Sequence, residues 1–309
     1  MKQNQYTIMD FKRDFPNDEA CLEWLKASRW PDGITCDKCH KITKHHHVSN
    51  RKAFACDVCG NHVYPMVGTI LEKSTTTLST WFHAMFLMAN TRCGISAKQL
   101  QRETGVTYKT AWRMFKQIRS MLADNVSLEG SSVEVDETYI GGRRSGKRGR
   151  GAEGKTAVLV AVEGDPKKKL GRVRFRCVEA ITRESVELFI GDYVEPGTMV
   201  VTDGLSVYDQ LKAAGYDHHS HVITTGGKIA RQELDHVHLV ISLLKRWLGG
   251  THQGAVTPSH LQAYLDEFAF RFNRRLSQHR GKLFYRLMQQ AVTVRPPTVR
   301  DLYASNPNL

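Results

Sequence analysis

Two stretches decide the fold of this 309-residue chain: Ser-Ser-Val-Glu-Val-Asp-Glu-Thr-Tyr-Ile-Gly-Gly at 131–142 and Thr-Met-Val-Val-Thr-Asp-Gly at 198–204. Each is a short run rich in β-branched residues that leads to an aspartate, Asp136 in the first and Asp203 in the second. Turn-forming residues follow soon after, so each stretch is typical of a β-strand. The pattern therefore predicts two strands that each end in a carboxylate.

Asp136 and Asp203 have two interpretations. Strand ends that project carboxylates toward one another form a site of hard oxygen ligands for Mg²⁺ or Mn²⁺. Two such ions can activate a nucleophile and stabilise the leaving oxygen of a phosphodiester. The alternative is that each aspartate caps a helix or begins a turn. The segments around the pair favour the metal site.

The charge of the chain favours a polyanionic partner. It carries 44 Lys and Arg against 31 Asp and Glu, a formal charge of +13, and nucleic acid is the first candidate. Residues 1–17 are polar and charged, so we expect no signal peptide, and no apolar run approaches a membrane span. The seven cysteines include four in paired spacing, which in a reducing cytoplasm favours metal over disulfides. We expect a cytoplasmic protein that associates with the nucleoid when bound to DNA.

The first 75 residues are predicted to form a small module held together by zinc. Two Cys-x-x-Cys pairs are separated by sixteen residues (40–55), which matches the spacing of a two-knuckle site. Four thiolates suit tetrahedral Zn²⁺, and a closed set of four ligands indicates a structural ion. Alternating residues at 53–56 and 62–64 predict a β-ribbon. The predicted ligands are Cys36, Cys39, Cys56 and Cys59.

Histidines and basic residues surround these cysteine pairs. Because four cysteines already fill the zinc shell, we expect the histidines to be surface residues. The basic residues give the module a side that suits DNA, although a folding staple without DNA contact is the alternative. The histidines are His40, His45, His46 and His47, and the basic residues are Lys41, Lys44, Arg51 and Lys52.

Residues 76–123 are predicted to be helical and to contain a helix-turn-helix. A first helix ends at Gly105, a short turn follows, and a second helix runs over 108–122. Lys109 and Arg113 are expected on the exposed start of that second helix, where they reach phosphates or base edges. The alternative is a plain helical hairpin that packs on the catalytic domain.

The segment 141–151 contains only glycine and basic residues apart from Ser145. Such a segment cannot bury a core, so we expect a mobile basic loop directly after the first strand. Beside Asp136, a cationic arm suits a phosphodiester backbone, and a solvated run of charge is the alternative. The DNA-binding candidates here are Arg143, Arg144, Lys147 and Arg148.

The C-terminal third supplies a predicted helix over 236–248. It places His238 and Lys245 seven residues apart, which is about two helical turns along one face. Apolar or alternating runs at 156–162 and 171–179 predict further strands between the two aspartates. These elements together indicate an α/β core.

At this point the motifs resemble an insertion-sequence transposase of the DDE type, in the ISXO-like group that has an N-terminal zinc ribbon. The resemblance extends over nearly the whole chain. Its pieces are the paired Cys-x-x-Cys, Val-Asp-Glu-Thr-Tyr-Ile-Gly-Gly (135–142), Thr-Asp-Gly (202–204), Leu-Lys-Arg-Trp-Leu-x-Gly-Thr-His (244–252), His-Leu-Gln-x-Tyr-Leu-Asp-Glu-Phe-x-Phe-Arg-Phe-Asn-Arg-Arg (260–275) and Gly-Lys-Leu-Phe-Tyr-Arg-Leu (281–287).

The resemblance implies a ribonuclease H-like fold, a mixed sheet flanked by helices, preceded by the zinc ribbon and the helix-turn-helix. It implies that Asp136 and Asp203 are the first two ligands of a catalytic Mg²⁺ or Mn²⁺. It also implies cut or copy chemistry at inverted repeats. We expect double-stranded DNA, both terminal repeats and target, as the partner and a homo-oligomer on that DNA. The expected domains are 1–75, 76–125, 126–290 for the catalytic domain and 291–309 for a tail.

One position departs from the family pattern. The third acidic residue of such sites usually lies seven residues before a basic one, and here His238 stands seven before Lys245. Neutral histidine can bind these ions but gives up the charge of a carboxylate. Either His238 is the third ligand, or Asp235, Glu233 or Glu137 assists, or the site is incomplete. Two functions stay open: an active transposase, and a DNA-binding protein without strand-transfer activity.

Overall fold

The computed structural model describes residues 6–123, 126–141, 154–164, 170–221, 234–254, 256–277 and 281–294. These residues form two compact units. The ribbon unit comprises the described parts of Met1–Met121 and Ser277–Leu302, and the sheet unit comprises those of Leu122–Leu276. Among the described helices, none is both long enough and apolar enough to cross a membrane.

In chain order the elements are α1 (Ile8–Asp14), α2 (Asp18–Arg29), β1 (Ile34–Thr35), β2 (Ile42–Thr43), β3 (His45–His47), β4 (Phe54–Cys56), β5 (His62–Val63), α3 (Leu78–Asn90), α4 (Ala97–Thr104), α5 (Tyr108–Arg119), β6 (Ser132–Ile140), β7 (Thr156–Gly164), β8 (Val173–Val178), α6 (Arg183–Tyr193), β9 (Met199–Asp203), a 3₁₀ helix (Ser206–Leu211), β10 (Asp217–His221), α7 (Asp235–Thr251), α8 (Pro258–Asn273) and α9 (Gly281–Thr293).

The core of the ribbon unit forms around α3, whose Trp81 and Phe82 are fully buried. A carboxylate from α2 holds the start of this helix, because Asp18 accepts the N–H of Leu78 and the N–H of Ser79, each at 2.9 Å. The first N–H groups of a helix have no partner within it, so this contact satisfies two of them. The first unit therefore has its own helical scaffold beside the cysteine ribbon.

The last described helix of the chain, α9, packs against α2 and α3 within the ribbon unit. The sequence analysis had assigned residues up to 290 to the catalytic domain. The structure instead divides the chain near residue 276, so that Phe284 of α9 is fully buried against Phe11 and Phe86 of the first unit. The motif at 281–287 was identified from the sequence, but nothing local in it indicates the surface that this helix covers.

The sheet unit is built on five strands in the order β10-β9-β6-β7-β8. The strands β6, β7 and β8 form an antiparallel meander, while β9 runs parallel to β6 and β10 runs parallel to β9. Helices cover both faces of this mixed sheet. The arrangement confirms the ribonuclease H-like α/β fold that the resemblance implies.

Strand β7 is buried on both faces, because helices lie on either side of it. Val158, Val160 and Val162 pack against residues of α7 and α8. Leu159 and Ala161 pack on the opposite face against residues of α6 and the 3₁₀ helix. A continuous apolar run of this length is typical of a strand at the centre of a core.

The exposed edge of β8 is closed by two amide side chains of α8. Asn273 accepts the N–H of Val173 at 2.8 Å and donates to the carbonyl of the same residue at 3.2 Å. Gln262 accepts the N–H of Cys177 at 2.8 Å and donates to the carbonyl of Phe175 at 3.2 Å. Edge strands otherwise present unpaired backbone groups, so these contacts both protect the edge and fix α8 along it.

Candidate functional site: a carboxylate cluster on neighbouring strands

The parallel pairing of β6 and β9 brings the two predicted aspartates together. In its register Glu134 is the partner of Val201. Two residues further along each strand lie Asp136 and Asp203, and side chains two apart on a strand share a face. The two aspartates therefore occupy matching positions on neighbouring strands. Asp203 ends β9, but β6 continues to Ile140, so the expectation that each aspartate ends a strand was wrong for Asp136.

Glu137 joins the aspartates in one cluster of carboxylates. One oxygen from each of Asp136, Glu137 and Asp203 lies within 4.8 Å of the others. Backbone groups orient the aspartates, because Asp136 Oδ1 accepts the N–H of Glu137 at 2.8 Å and Asp203 Oδ1 accepts the N–H of Leu205 at 3.1 Å. Neighbours on an ideal strand face opposite sides, so spacing alone did not place Glu137 beside Asp136.

Tyr208 supports Glu137 from the 3₁₀ helix that follows β9. Its side chain is fully buried, and its hydroxyl donates to Glu137 Oε2 at 3.1 Å. Burial raises the pKa of Tyr208 well above its ordinary value, and the three carboxylates of the cluster act in the same direction. The phenol therefore remains a neutral donor to Glu137. The sequence analysis did not single out this residue.

His238 lies beside Asp136, near the start of α7. Its Nε2 is 3.3 Å from Asp136 Oδ2, and 44% of its side chain is exposed against 15% for Asp136. The contact with Asp136 raises the pKa of His238, with burial opposing. This exposure does not fit a histidine packed in a core. The structure brings His238 next to the cluster, within reach of a cation held by Asp136.

The start of α7 is held by Glu134, which the sequence analysis missed. Glu134 is buried within β6, and its Oε2 accepts the N–H of Val237 at 2.9 Å. Its Oε1 lies 2.8 Å from His236 Nδ1. Burial raises the pKa of Glu134, while the contact with Val237 lowers it. An acidic residue inside an otherwise apolar run, two positions before Asp136, was the available signal.

Lys245 lies further along α7 and is exposed to solvent. Partial burial of its side chain lowers its pKa, nearby Lys155 lowers it further, and Asp136 raises it. Lys245 and Lys155 therefore bring two cations near the carboxylate cluster. The sequence analysis had named Lys245 but not Lys155.

The donor set of this cluster suits a divalent cation. Three carboxylates and an imidazole nitrogen are hard or borderline ligands of the kind that Mg²⁺ and Mn²⁺ take in proteins. Asp136, Glu137 and Asp203 would hold the ion, and His238 stands at the Asp136 side of the group. Both predicted aspartates thus lie in one site with Glu137, whereas Asp235, another assisting candidate, is absent from this group.

The four predicted cysteines also lie together, in the ribbon unit, with one sulfur from each within 4.8 Å of the others. The two knuckles have matching backbone turns: the N–H of His40 donates to the carbonyl of Cys36 at 2.8 Å, and the N–H of Gly60 donates to that of Cys56 at 2.9 Å. His40 and Gly60 both have positive φ, 55° and 68°. The arrangement provides four sulfur donors for one tetrahedral ion.

Thr43 adds a hydrogen-bonding partner to this cysteine group. Its hydroxyl lies 3.1 Å from Cys56 Sγ and is the largest influence that lowers the pKa of that thiol to about 6. The backbone N–H of Cys39 lowers the pKa of Cys36. Metal ligands of this kind bind as thiolates, so these effects favour the thiolate at Cys56 and Cys36. The backbone N–H of Asn61 acts in the same direction on Cys59, but burial and the neighbouring thiols outweigh it and raise the pKa of Cys59 to about 11.

The prediction that all four histidines near the ribbon lie on the surface was wrong for His45. That residue is buried, and its Nδ1 lies 3.0 Å from the carbonyl oxygen of Thr43. Its partner in β4 is Cys56, so it packs beside the cysteine group. His40 and His46 are exposed, and His47 is partly buried.

A helix-turn-helix forms from α4 and α5. Gly105 ends α4 with a φ of 73°, and the Thr107 side chain caps α5 by accepting the N–H of Thr110. Lys109 is exposed at the start of α5, as the sequence predicted. Arg113 is not: it is partly buried, and its Nε has no partner in the described part of the chain. Arg113 lies one helical turn beyond Lys109, where this face of α5 is already partly covered by the rest of the unit.

Several candidate residues fall outside the described residues. These are Glu233 and the basic-loop residues Arg143, Arg144, Lys147 and Arg148.

Two known domains match the chain. Residues 16–62 match a transposase zinc-ribbon domain, and residues 127–273 match an ISXO2-like transposase domain. The first match contains the four clustered cysteines. The second contains the three clustered carboxylates together with His238 and Lys245.

The chain is also similar to an uncharacterised protein in the transposable element ISH50 of Halobacterium salinarum. They are 28% identical over 291 residues, which is 87% of this chain and 95% of that protein. Two solved structures are each 11% identical. The match to a pre-cleavage Mos1 transpososome covers 62% of this chain and 74% of the Mos1 chain, with a TM-score of 0.24. The match to a Mos1 transposase paired-end complex with the left transposon end covers 67% of this chain and 78% of the Mos1 chain, with a TM-score of 0.22.

The two matched domains follow one another along the chain in the order that its motifs predicted. The chain therefore carries a transposase zinc-ribbon domain followed by an ISXO2-like transposase domain.

Proposed function

We propose that this chain binds the ends of its insertion sequence and catalyses metal-dependent cleavage and strand transfer of DNA. The observation that carries this proposal is the convergence of Asp136, Glu137 and Asp203 on the neighbouring strands β6 and β9, with His238 3.3 Å from Asp136. Three carboxylates within one small group repel one another unless a cation or protons offset their charge. A divalent cation is the partner that fits both the charge and the oxygen donors.

The chemistry requires placement more than a protein nucleophile. A divalent cation at this site supplies activation of the attacking oxygen and stabilisation of the leaving oxygen. Hydrolysis of one strand frees a 3′ hydroxyl, and attack of that hydroxyl on target DNA breaks a second phosphodiester and forms a new one. Both steps are in-line displacements at phosphorus, so the carboxylates fix the cation while Lys245 and Lys155 hold the phosphate backbone nearby.

Glu137 bears on whether the metal site is complete. The family pattern has an acidic residue where this chain has His238, which left open a DNA-binding protein without strand-transfer activity. Glu137 supplies a third carboxylate from β6, with Tyr208 hydrogen-bonded to it. We therefore assign metal holding to Asp136, Asp203 and Glu137, with His238 completing the donors beside Asp136. This supports the active transposase over the binding protein.

DNA binding is assigned to the basic surfaces outside this cluster. Lys109 is exposed at the start of α5, the usual recognition position of a helix-turn-helix. The chain's charge of +13 fits a partner with a phosphate backbone. We propose that the terminal repeats and the target are both double-stranded DNA, that Arg143, Arg144, Lys147 and Arg148 contact it, and that the chain acts as a homo-oligomer on it.

We assign Zn²⁺ to the four-cysteine group. Four thiolates in a closed shell leave no open position, so the ion is structural. The four sulfurs, which all lie within 4.8 Å of one another, support this assignment. Elemental analysis of the purified chain tests it, since a zinc content unchanged when Cys36 and Cys59 both become serine contradicts it.

The decisive experiment for the function is cleavage of a labelled fragment that carries the element's end. Asp203→Asn keeps the shape of the side chain and removes its charge, so we expect cleavage and strand transfer to fall below about 1% of the parent's while end binding survives. Asp209→Asn is the matched control, because Asp209 is an exposed acid on the 3₁₀ helix outside the cluster. Cleavage by Asp203→Asn at the parent's rate would overturn the proposal.

A further inference from the structure

We propose that Glu134 is a positioning residue, which sets the start of α7 so that His238 and Lys245 stand at the carboxylate cluster. The inference rests on the proposed function, since those two side chains matter through the reaction at the cluster. It goes beyond that function because Glu134 touches neither the DNA nor the proposed cation. Its effect passes through the helix.

The anchor consists of two contacts from one buried carboxylate. Glu134 Oε2 accepts the N–H of Val237 at 2.9 Å, and Glu134 Oε1 lies 2.8 Å from His236 Nδ1. Val237 is itself fully buried in the core beneath α7. The first turn of the helix is therefore held to β6 by polar contacts as well as by packing.

The Glu134 carboxylate supplies a hydrogen-bond acceptor at the start of α7, where the helix has no side-chain cap of its own. The residue before α7, Leu234, has no side chain that can cap it, and no side-chain cap is formed there. The first N–H groups of a helix lack internal partners and carry partial positive charge, so a carboxylate at that end satisfies and stabilises them. A buried carboxylate is costly without such partners, and an apolar residue would pack in the strand at less cost.

The geometry connects the anchor to the reaction. Glu134 and Asp136 are two residues apart on the same face of β6, and His238 follows Val237 directly on α7. One strand thus carries both a proposed metal ligand and the anchor of the helix that presents His238 to it at 3.3 Å. Sites held by rigid elements depend on such supporting contacts, and a misplacement of about 1 Å can cost about a hundredfold in rate.

The test compares Glu134→Ala with Glu163→Ala. Glu163 is a matched control because it is an equally buried carboxylate on neighbouring β7, where it accepts the N–H of Glu129 at 2.7 Å and that of Arg172 at 2.9 Å. Both variants lose a buried anchor and some thermal stability, but only Glu134 contacts α7. Glu134→Gln keeps an acceptor oxygen for Val237 and serves as the rescue variant.

Two readouts are measured on the full-length chain: hydrogen exchange of residues 236–245, and single-turnover cleavage of the end fragment at saturating DNA. We expect Glu134→Ala to speed that exchange and slow cleavage by at least about tenfold each, with end affinity retained. Glu134→Gln should stay within about threefold of the parent on both readouts, and so should Glu163→Ala. If Glu134→Ala does not fold, Glu134→Asp takes its place, because it withdraws the carboxylate from the helix, and we expect the same losses.

Parent-like exchange and cleavage in the folded Glu134 variant would overturn the proposal. An equal loss of cleavage in Glu163→Ala would overturn it too, because general destabilisation would then explain both. If the parent itself does not cleave, the proposed function fails. The hydrogen exchange then decides the role of Glu134 by itself, with parent-like exchange in the Glu134 variant counting against it.

Discussion

His238 is the residue at which this chain departs from the acidic pattern of its family. A neutral imidazole supplies a nitrogen donor but no negative charge, so a site built on two aspartates and a histidine holds a cation less strongly than three carboxylates do. Glu137 offsets that loss, because it lies within 4.8 Å of both aspartates. His238 keeps the place on α7, beside Asp136, where the family pattern has its acid.

His238 is predicted to act at the cluster rather than as packing. We expect His238→Ala to lower end cleavage by at least about tenfold, because it removes a donor next to Asp136, and His238→Glu to stay within about threefold of the parent, because it restores a carboxylate. Cleavage is measured in Mg²⁺ and in Mn²⁺ on the labelled end fragment. His219→Ala is the control, since His219 is exposed on β10. His238→Ala within twofold of the parent would refute this role.

At the same scale, the sequence predicted residues whose signal is local and missed those whose role depends on the fold. Asp136 and Asp203 both follow recognisable β-branched runs, so the strands that carry them were predictable, although β6 continues four residues beyond Asp136. Tyr208 and Glu134 act through contacts 71 and 103 residues away along the chain. No spacing rule connects positions that far apart, since only the sheet register and the helix placement bring them together.

At the scale of elements, the helix-turn-helix was predictable because the residues that end its first helix and cap its second are local sequence signals. Gly105 takes the positive φ that ends α4, and Thr107 caps α5 three residues before Thr110. Periodicity did not indicate where along α5 the rest of the unit begins to cover this face of the helix. Lys109 is exposed, whereas Arg113, one turn later, is partly buried.

Lys109 is therefore the better probe of DNA binding by this element. We expect Lys109→Ala to weaken end binding across sequences and to reduce the slope of log affinity against log salt by about 1, as loss of one phosphate contact would do. Binding is measured on the end fragment over a series of salt concentrations. Lys73→Ala is the control, because Lys73 is highly exposed in the same unit but outside the helix-turn-helix. An unchanged slope in Lys109→Ala would count against the assignment.

The motif at 260–275 shows that a family pattern can report a fold rather than chemistry. Gln262 and Asn273 belong to that motif, and the side-chain amides of both form hydrogen bonds with the backbone at the edge of β8. The acidic residues of the motif, Asp266 and Glu267, do not belong to the carboxylate cluster. The sequence alone identified the motif correctly but gave no means of separating this structural use from a catalytic one.

At the scale of the whole molecule, the last described helix, α9, belongs to the ribbon unit, although it follows the sheet unit in the sequence. Phe284 stacks on Tyr6 with ring centroids 5.3 Å apart and meets Phe11, Phe15 and Phe86 within 6 Å. The unit that holds the cysteine group and the helix-turn-helix is therefore completed by residues after the sheet unit. The sequence could not predict this, because an amphipathic helix does not specify which surface it covers.

Phe284 is predicted to stabilise the ribbon unit. We expect Phe284→Ala to lower its free energy of unfolding by about 3–5 kcal/mol, since it leaves a cavity among buried aromatic rings. Urea unfolding followed by tryptophan fluorescence measures this, because Trp24, Trp30, Trp81 and Trp112 all lie in that unit. Leu276→Ala is the control, because Leu276 is 80% exposed, and its effect should be below about 0.5 kcal/mol. A loss in Phe284→Ala no larger than that control's would contradict the account.

The central claim is that Asp136, Glu137 and Asp203 hold a divalent cation, and Mn²⁺ binding tests it most directly. The measurement is an electron paramagnetic resonance titration of Mn²⁺ into the zinc-loaded chain bound to its DNA end. We predict a saturable class of bound Mn²⁺ that Asp136→Asn and Asp203→Asn each abolish and that Asp209→Asn retains. Undiminished Mn²⁺ binding in both Asp136→Asn and Asp203→Asn would contradict the claim.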